Sequence, residues 1–366
     1  MDWNALLRPE VAPLVPYAPG LRASDVRARS GCEHIHKLSS NENPFGPFAA
    51  ALAGMRAVLP HLNRYPDGAA RALKRRLGEH LGVEERFLAV TNGSNELLTL
   101  IAQATLGPGD EAVFAWPSFV VYPLCTALMG ATAIRVPLTA DHVHDLPAML
   151  KAITERTKLV FLCNPNNPTG TVYDREAFEE FLRQVPEHVL VVVDEAYFEY
   201  VTSPGFPDGI GFFDGNRPLA VLRTFSKMYS LAGARVGYGV MPEAMVVAVD
   251  KVREPFNVSS VGQVGAYYSL GDSDETSRRR RINAEERLRL CRALERLGIE
   301  YAPSQTNFVY ALTEQPARLF DALLARGVIV RDFGGSPALR IGIGSCDDTD
   351  ATVAALESAV SSTEDD

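Results

Sequence analysis

Five consecutive aliphatic residues, Val189-Leu190-Val191-Val192-Val193, are followed at once by Asp194. Successive side chains of a strand point to opposite faces, so a run with no polar member is apolar on both faces and belongs inside a sheet covered on both sides. That requirement selects a largely parallel α/β sheet. Asp194 adds a second one, because an ionised carboxylate leaves water only when a cation or a ligand meets it. Something positively charged is therefore expected against the end of this strand.

Shorter apolar runs recur along the chain and predict strands over Phe87–Val90, Glu111–Ala115, Thr132–Val136, Leu159–Leu162, Val189–Val193 and Leu219–Arg223. Helical periodicity falls between or after them, over Ala69–Leu81, Glu96–Leu106, Arg175–Gln184 and Ala284–Leu297. Alternation of this kind is the signature of a mostly parallel sheet flanked by helices. From about Phe256 the rhythm changes to a long helical stretch, a strand in Thr306–Tyr310, a helix over Ala317–Arg326 and short segments near Val328 and Leu339–Ile343. A chain of 366 residues exceeds what one core usually serves. Three parts are expected: residues 1–44 as an N-terminal segment joining the small domain, 45–255 as a large domain, and 256–366 as a smaller α+β domain.

In open α/β sheets the ligand crevice lies at the carboxyl ends of the strands. Thr91-Asn92-Gly93-Ser94-Asn95 follows the first strand and opens a helix, which offers a glycine, a small hydroxyl and free backbone N–H groups to an anion. Trp116-Pro117-Ser118-Phe119 brings an aromatic ring to the same edge, and Asn164-Pro165-Asn166-Asn167-Pro168-Thr169-Gly170 is too rich in proline and asparagine for a plain turn. Asp194-Glu195-Ala196-Tyr197 comes next, then Ser226-Lys227 with Arg235 eight residues beyond the lysine. A bound pyridoxal phosphate explains the acid and the lysine together. Lys227 would form the Schiff base, and Asp194 would keep the pyridine nitrogen protonated so that the ring serves as an electron sink.

With these motifs in this order, the chain resembles the fold-type I pyridoxal-phosphate aminotransferases of class I/II over nearly its whole length. Leu38-Ser39-Ser40-Asn41-Glu42-Asn43-Pro44-Phe45-Gly46, Arg64-Tyr65-Pro66-Asp67, Pro255-Phe256-Asn257-Val258 and Leu339-Arg340-Ile341 carry the resemblance further, toward the histidinol-phosphate group within that family. The resemblance implies pyridoxal 5'-phosphate as cofactor, with Lys227 as the Schiff-base lysine, Asp194 as the pyridinium partner, and Asn167 and Tyr197 as donors to the ring 3-oxygen. It implies a phosphate cup of Gly93, Ser94, Asn95, Ser226 and Arg235. Phe119 takes the stacking position where tyrosine is common, and so offers the ring face without the phenolic hydroxyl. Tyr65 is implied to reach the phosphate of a neighbouring subunit in a homodimer. Arg340 is implied to bind the substrate anion, helped by Arg331, with Tyr17 and Asn43 also at the substrate. The expected reaction moves an amino group from L-histidinol phosphate to 2-oxoglutarate.

Aromatic amino-acid aminotransferases share nearly every motif quoted, and threonine-phosphate decarboxylases use the same scaffold to break a different bond. A non-catalytic binding protein on this fold is disfavoured by the retention of Lys227, Asp194, Asn167, Tyr197 and both arginines. Gly107-Pro108-Gly109-Asp110 follows a helix and reads as a turn, not a dinucleotide fingerprint. The formal net charge of −9 argues against a nucleic-acid surface, and the run Arg278–Arg281 is read as a solvated helix face. His34, His36, His142 and His144 are read as surface or loop histidines without metal, and Cys32, Cys125, Cys163, Cys291 and Cys346 show no disulfide spacing. Residues 1–9 lack a basic stretch leading into an apolar one, so a cytoplasmic, membrane-free protein is expected.

Overall fold

The computed structural model describes residues 3–16 and 20–361. Its centre is a seven-stranded sheet of β1 (Leu88–Thr91), β2 (Glu111–Trp116), β3 (Thr132–Pro137), β4 (Thr157–Cys163), β5 (Leu190–Asp194), β6 (Leu219–Thr224) and β7 (Gly237–Val240), in the order β1-β7-β6-β5-β4-β2-β3. All neighbours are parallel except β7, which runs against both β1 and β6. The aliphatic run behaves as its composition requires. Leu190 and Val192 join Leu97, Ile101 and Phe161 in one core, while Val191 and Val193 join Phe178, Phe181 and Tyr173 in another on the opposite face.

The reversed strand β7 was not expected. Two of its four residues are glycine, which hides it from a reading based on apolar runs, and packing explains one of them. A side chain at Gly237 would strike the backbone N of Ser94, so the strand can pass the start of the neighbouring helix only without a Cβ. That helix, Ser94–Thr105, starts two residues earlier than the periodicity indicates.

A second core lies around an antiparallel sheet in which Phe308–Leu312 and Ala338–Gly342 are central, with Arg331–Asp332 and Tyr301–Ala302 outside them. Helices Ser273–Arg296, Pro316–Ala325 and Cys346–Ser361 supply Leu290, Leu294, Leu319, Leu323 and Leu356 to this core. His36–Lys37 pairs in parallel with Val328–Ile329 and carries Leu38 into the same core. The chain then runs straight on into Ser39-Ser40-Asn41, at the carboxyl edge of the large sheet. Not every residue beyond 255 joins the second core. Ala266 of the helix Ser260–Ser269 packs instead with Phe48, Ala51, Leu73 and Leu77.

Two surface readings need correction. Arg279, within the basic run, is 4% exposed and stacks over Phe48, with its guanidinium donating to the Gly46 carbonyl and to Glu275. The Phe48 ring and a carbonyl and a hydroxyl far away in sequence decide this, and none of them shows in a run of charges. His144 is buried as well, bonded at 3.2 Å to Asn166 Oδ1, and burial pushes its imidazole down to about 4.

Candidate active site

β5 ends on Asp194, and the loop after the adjacent β6 carries Lys227. Both line one cavity of about 310 Å³. Asp194 Oδ2 accepts from the Tyr122 hydroxyl at 2.9 Å and Oδ1 accepts from the Ala196 N–H at 3.2 Å. Burial pushes this carboxyl up to about 6, and those two donors together with the charge of Lys227 hold it from rising further. The expected cation is not in contact: among the described residues no basic group lies within salt-bridge distance of Asp194. Lys227 Nζ instead donates to the Ser40 carbonyl at 3.3 Å. Burial, then the nearby charges of Arg340 and Arg235, press its amine down to about 8, while Glu42 and Asp194 oppose them.

At one end of the cavity β1 runs into Gly93, whose φ of 85° closes the turn into the helix Ser94–Thr105. A Cβ at Gly93 would come within 2.7 Å of Arg235 Nη2, so glycine lets the guanidinium close over the helix N-terminus. Arg235 itself sits at φ 54° and is steadied by the Ala232 carbonyl at 3.0 Å and the Ser226 hydroxyl at 3.5 Å. Ser94, Asn95, Ser226 and Arg235 line this end together. Free N–H groups at a helix start, two hydroxyls and a guanidinium form a concave donor set that fits a phosphate dianion. Deeper in, an unpaired buried carboxylate and a buried amine fit a ring with a basic nitrogen and an aldehyde. The residues present thus fit pyridoxal phosphate on both counts.

Phe119 lines the cavity and meets Tyr122 edge to face at 5.8 Å. Asn167 Oδ1 accepts from Arg340 Nη1 at 2.7 Å, and Arg340 Nη2 donates to the Ser39 carbonyl at 2.7 Å. Tyr197 is buried, packs edge to face on Phe308 at 5.1 Å, and accepts at its hydroxyl from Asn41 Nδ2 at 2.8 Å. Gly93 borders this group through its contact with Arg235. The remaining expected residues lie elsewhere. Arg331 stands opposite Arg340 in the antiparallel pair and does not line the cavity. Tyr65 is 82% exposed and stacks on Phe256 at 4.6 Å in a separate depression. Asn43 is not on the cavity wall either: its amide donates to the Tyr200 hydroxyl and the Met228 carbonyl, and its oxygen accepts from the Phe45 N–H. Those bonds turn the chain at Pro44, so Asn43 shapes the loop. Tyr17 lies outside the described residues.

Sequence reasoning passed over Tyr122, Asn41 and Glu42. Tyr122 lies in the short helix Val121–Leu128 and finds Asp194 across 72 positions, with no local signal. Asn41 was visible only as part of a motif. Glu42 lines the cavity beside Asn41 and is paired with Lys37 at 2.7 Å.

The fold and this constellation define a class. Residues 33–356 match the family model for aminotransferase class I and II, and the chain belongs to that family, whose members depend on pyridoxal phosphate. At closer range, the chain is 45% identical over 349 residues to histidinol-phosphate aminotransferase 2 of Pseudomonas fluorescens, with 94% of each chain covered. It is 43% identical over 345 residues to an aromatic amino acid aminotransferase of Streptomyces coelicolor, again with 94% of each covered. The crystal structure of histidinol-phosphate aminotransferase from Sinorhizobium meliloti in complex with pyridoxal-5'-phosphate superposes with a TM-score of 0.88 at 28% identity, covering 98% of each chain. No helix among the described residues is long and apolar enough to cross a membrane.

Proposed function

We propose that this aminotransferase converts L-histidinol phosphate and 2-oxoglutarate to imidazole acetol phosphate and L-glutamate, a step of histidine biosynthesis. One observation carries the reading: Lys227, Asp194 and Arg340 share a single cavity in a chain 45% identical to a histidinol-phosphate aminotransferase over 94% of each chain. Bound pyridoxal phosphate supplies an electron sink for the charge left when a proton leaves the amino-bearing carbon. Asp194, with its carboxyl pushed up to about 6 but still mostly ionised at neutral pH, would pair with the ring nitrogen. Lys227, whose amine burial and neighbouring charges press down to about 8, would be the base that takes the proton from that carbon once the substrate has displaced it from the cofactor aldehyde, and would return it one atom away. Asn167 has its oxygen engaged by Arg340, which leaves its amide hydrogens free, so Asn167 and Tyr197 would be the donors to the ring 3-oxygen. Phe119 would stack on the ring. Gly93, Ser94, Asn95, Ser226 and Arg235 would hold the cofactor phosphate.

Arg340 serves both substrates, since a guanidinium fits a carboxylate and a phosphate equally well. Its present acceptor, the Ser39 carbonyl, gives way to the incoming anion, and Arg331 on the adjacent strand adds positive charge. We infer a homodimer, because Tyr65 and Phe256 are exposed and stack in a depression separate from their own cavity, which suits Tyr65 to the phosphate site of a second copy. The chain divides into a large unit over 45–255, a small unit over 256–366 and a segment 1–44 that joins the small unit, except that the helix Ser260–Ser269 packs with the large unit. We place the reaction in the cytoplasm, with the other steps of amino-acid synthesis.

The Streptomyces relative and the purely apolar Phe119 favour a second reading, transamination of aromatic amino acids. Anaerobic single turnover separates the two. The purified yellow protein is mixed with histidinol phosphate, phenylalanine, threonine phosphate or glutamate, and loss of the visible band is timed. Fast bleaching by histidinol phosphate and glutamate, with phenylalanine much slower, is expected. Preference for phenylalanine moves the protein to the aromatic group, and no bound chromophore removes the enzyme reading altogether.

A further inference from the structure

Asn41 combines three features that rarely persist together without use. It is 3% exposed, its φ is 55°, and its Oδ1 has no hydrogen-bond partner among the described residues. Asparagine tolerates the left-handed backbone, but an unsatisfied buried acceptor carries a cost, and such costs call for an explanation in function. Its neighbours fix it in place. Asn307 donates to the Asn41 carbonyl at 3.0 Å, a bond that involves neither Lys227 nor Arg340. Held this way, Asn41 lines the cavity and points Nδ2 at the Tyr197 hydroxyl, 2.8 Å away.

A phenol carries one hydrogen. If a neighbour accepted that hydrogen, Tyr197 would present lone pairs to the cavity; because Asn41 donates, the hydrogen remains free to point inward. We propose that Asn41 is a positioning residue that sets the hydrogen-bond direction of Tyr197, so that the phenol is a committed donor to the ring 3-oxygen. This rests on the pyridoxal-phosphate reading above and assigns a role to a residue outside the lysine, acid and phosphate cup. The left-handed conformation suits asparagine, and aspartate or glycine tolerates it too, whereas most residues do not.

That tolerance supplies the test. Asn41→Asp keeps the shape and backbone but offers only acceptors, so it captures the Tyr197 hydrogen. Asn41→Gly removes the amide and leaves the phenol free to turn. The cofactor-free protein and these variants are titrated with pyridoxal phosphate by fluorescence quenching, alongside Tyr197→Phe and the double variant Asn41→Asp/Tyr197→Phe. The pH dependence of the bound chromophore is recorded for each. Asn41→Gly is expected to weaken binding about 3-fold and Tyr197→Phe about 5-fold, the scale of one net hydrogen bond. Asn41→Asp is expected to cost about 10-fold or more and to shift the chromophore's pH midpoint. With Tyr197→Phe in place, the aspartate should add little, because the group it acts through is gone. Equal losses in Asn41→Asp and Asn41→Gly, or an aspartate effect that persists undiminished in the double variant, would overturn the inference and leave the cofactor reading standing. Absence of binding in the unsubstituted protein would instead remove that reading.

Discussion

Asp194 and Glu195 are neighbours in sequence, both are buried, and the sheet sends them to opposite fates. Glu195 is 0% exposed and fully met: Arg223 Nε donates to Oε2 at 2.9 Å and the Gly209 N–H to Oε1 at 2.7 Å, while Arg223 also reaches Asp208. Asp194 is 3% exposed and has only a phenol and one backbone N–H. Burial pushes both carboxyls up, Asp194 to about 6 and Glu195 to about 7, Glu195 even with a guanidinium against it. The contrast separates two uses of a buried acid. Glu195 is paired within the chain and ties β5 to β6; Asp194 is left open on the cavity side for a cation the chain does not supply. Lys227 cannot fill that role while it is turned to the Ser40 carbonyl.

Neutralising each acid breaks the comparison most directly. Asp194→Asn is expected to lower kcat by about 10³-fold, the scale of losing a preorganised charge at the reacting group, as read in steady-state transamination. The same change should raise the stability of the cofactor-free chain at pH 8 by about 1–3 kcal/mol, because it removes an ionised group whose burial is unfavourable. Glu195→Gln should do the reverse. It strands Arg223, and chemical denaturation should show a loss of about 3 kcal/mol, with cofactor affinity of the folded protein little changed. If both substitutions destabilise alike, the two acids are not different in kind.

Tyr122→Phe sharpens the comparison on a smaller scale. Loss of a donor to a buried charged acceptor should weaken pyridoxal phosphate binding about 10-fold, as measured by equilibrium dialysis. The smallest effect is in pH dependence. Asp194 and Glu199, at about 6 and 7, hold protons more tightly when folded than their ordinary values of 3.8 and 4.5 allow unfolded. A folded state that binds more protons loses stability as pH rises, so the cofactor-free chain should be less stable at pH 8 than at pH 5.5. Asp194→Asn should remove about 1 kcal/mol of that difference, visible as a flatter series of melting curves.

What could be read from the sequence divides along the same line. Asp194 was legible because a charge interrupting an apolar strand is anomalous within a short window, Lys227 and Asn167 because each follows a strand end, and Arg235 by its offset of eight residues from Lys227. The strand order, by contrast, needed the glycine strand β7, which has too few side chains to leave a pattern. Tyr122, Asn41 and the burial of Arg279 depend on partners scores of residues away, and no window contains both halves. Asn43 was preferred to Asn41 within one motif. Only the left-handed backbone at Asn41, set by Asn307, decides which amide faces the cavity.

The central claim is that Asp194 is an anion awaiting a cationic ring. Calorimetric titration of the cofactor-free protein with pyridoxal phosphate, and with an analogue in which carbon replaces the ring nitrogen, tests it directly because both retain the aldehyde and the phosphate. The account predicts that the native protein prefers pyridoxal phosphate by about 100-fold, the value of a buried charge-assisted pair near 3 kcal/mol, and that Asp194→Asn abolishes the preference. Equal affinity of the native protein for the two compounds would contradict it.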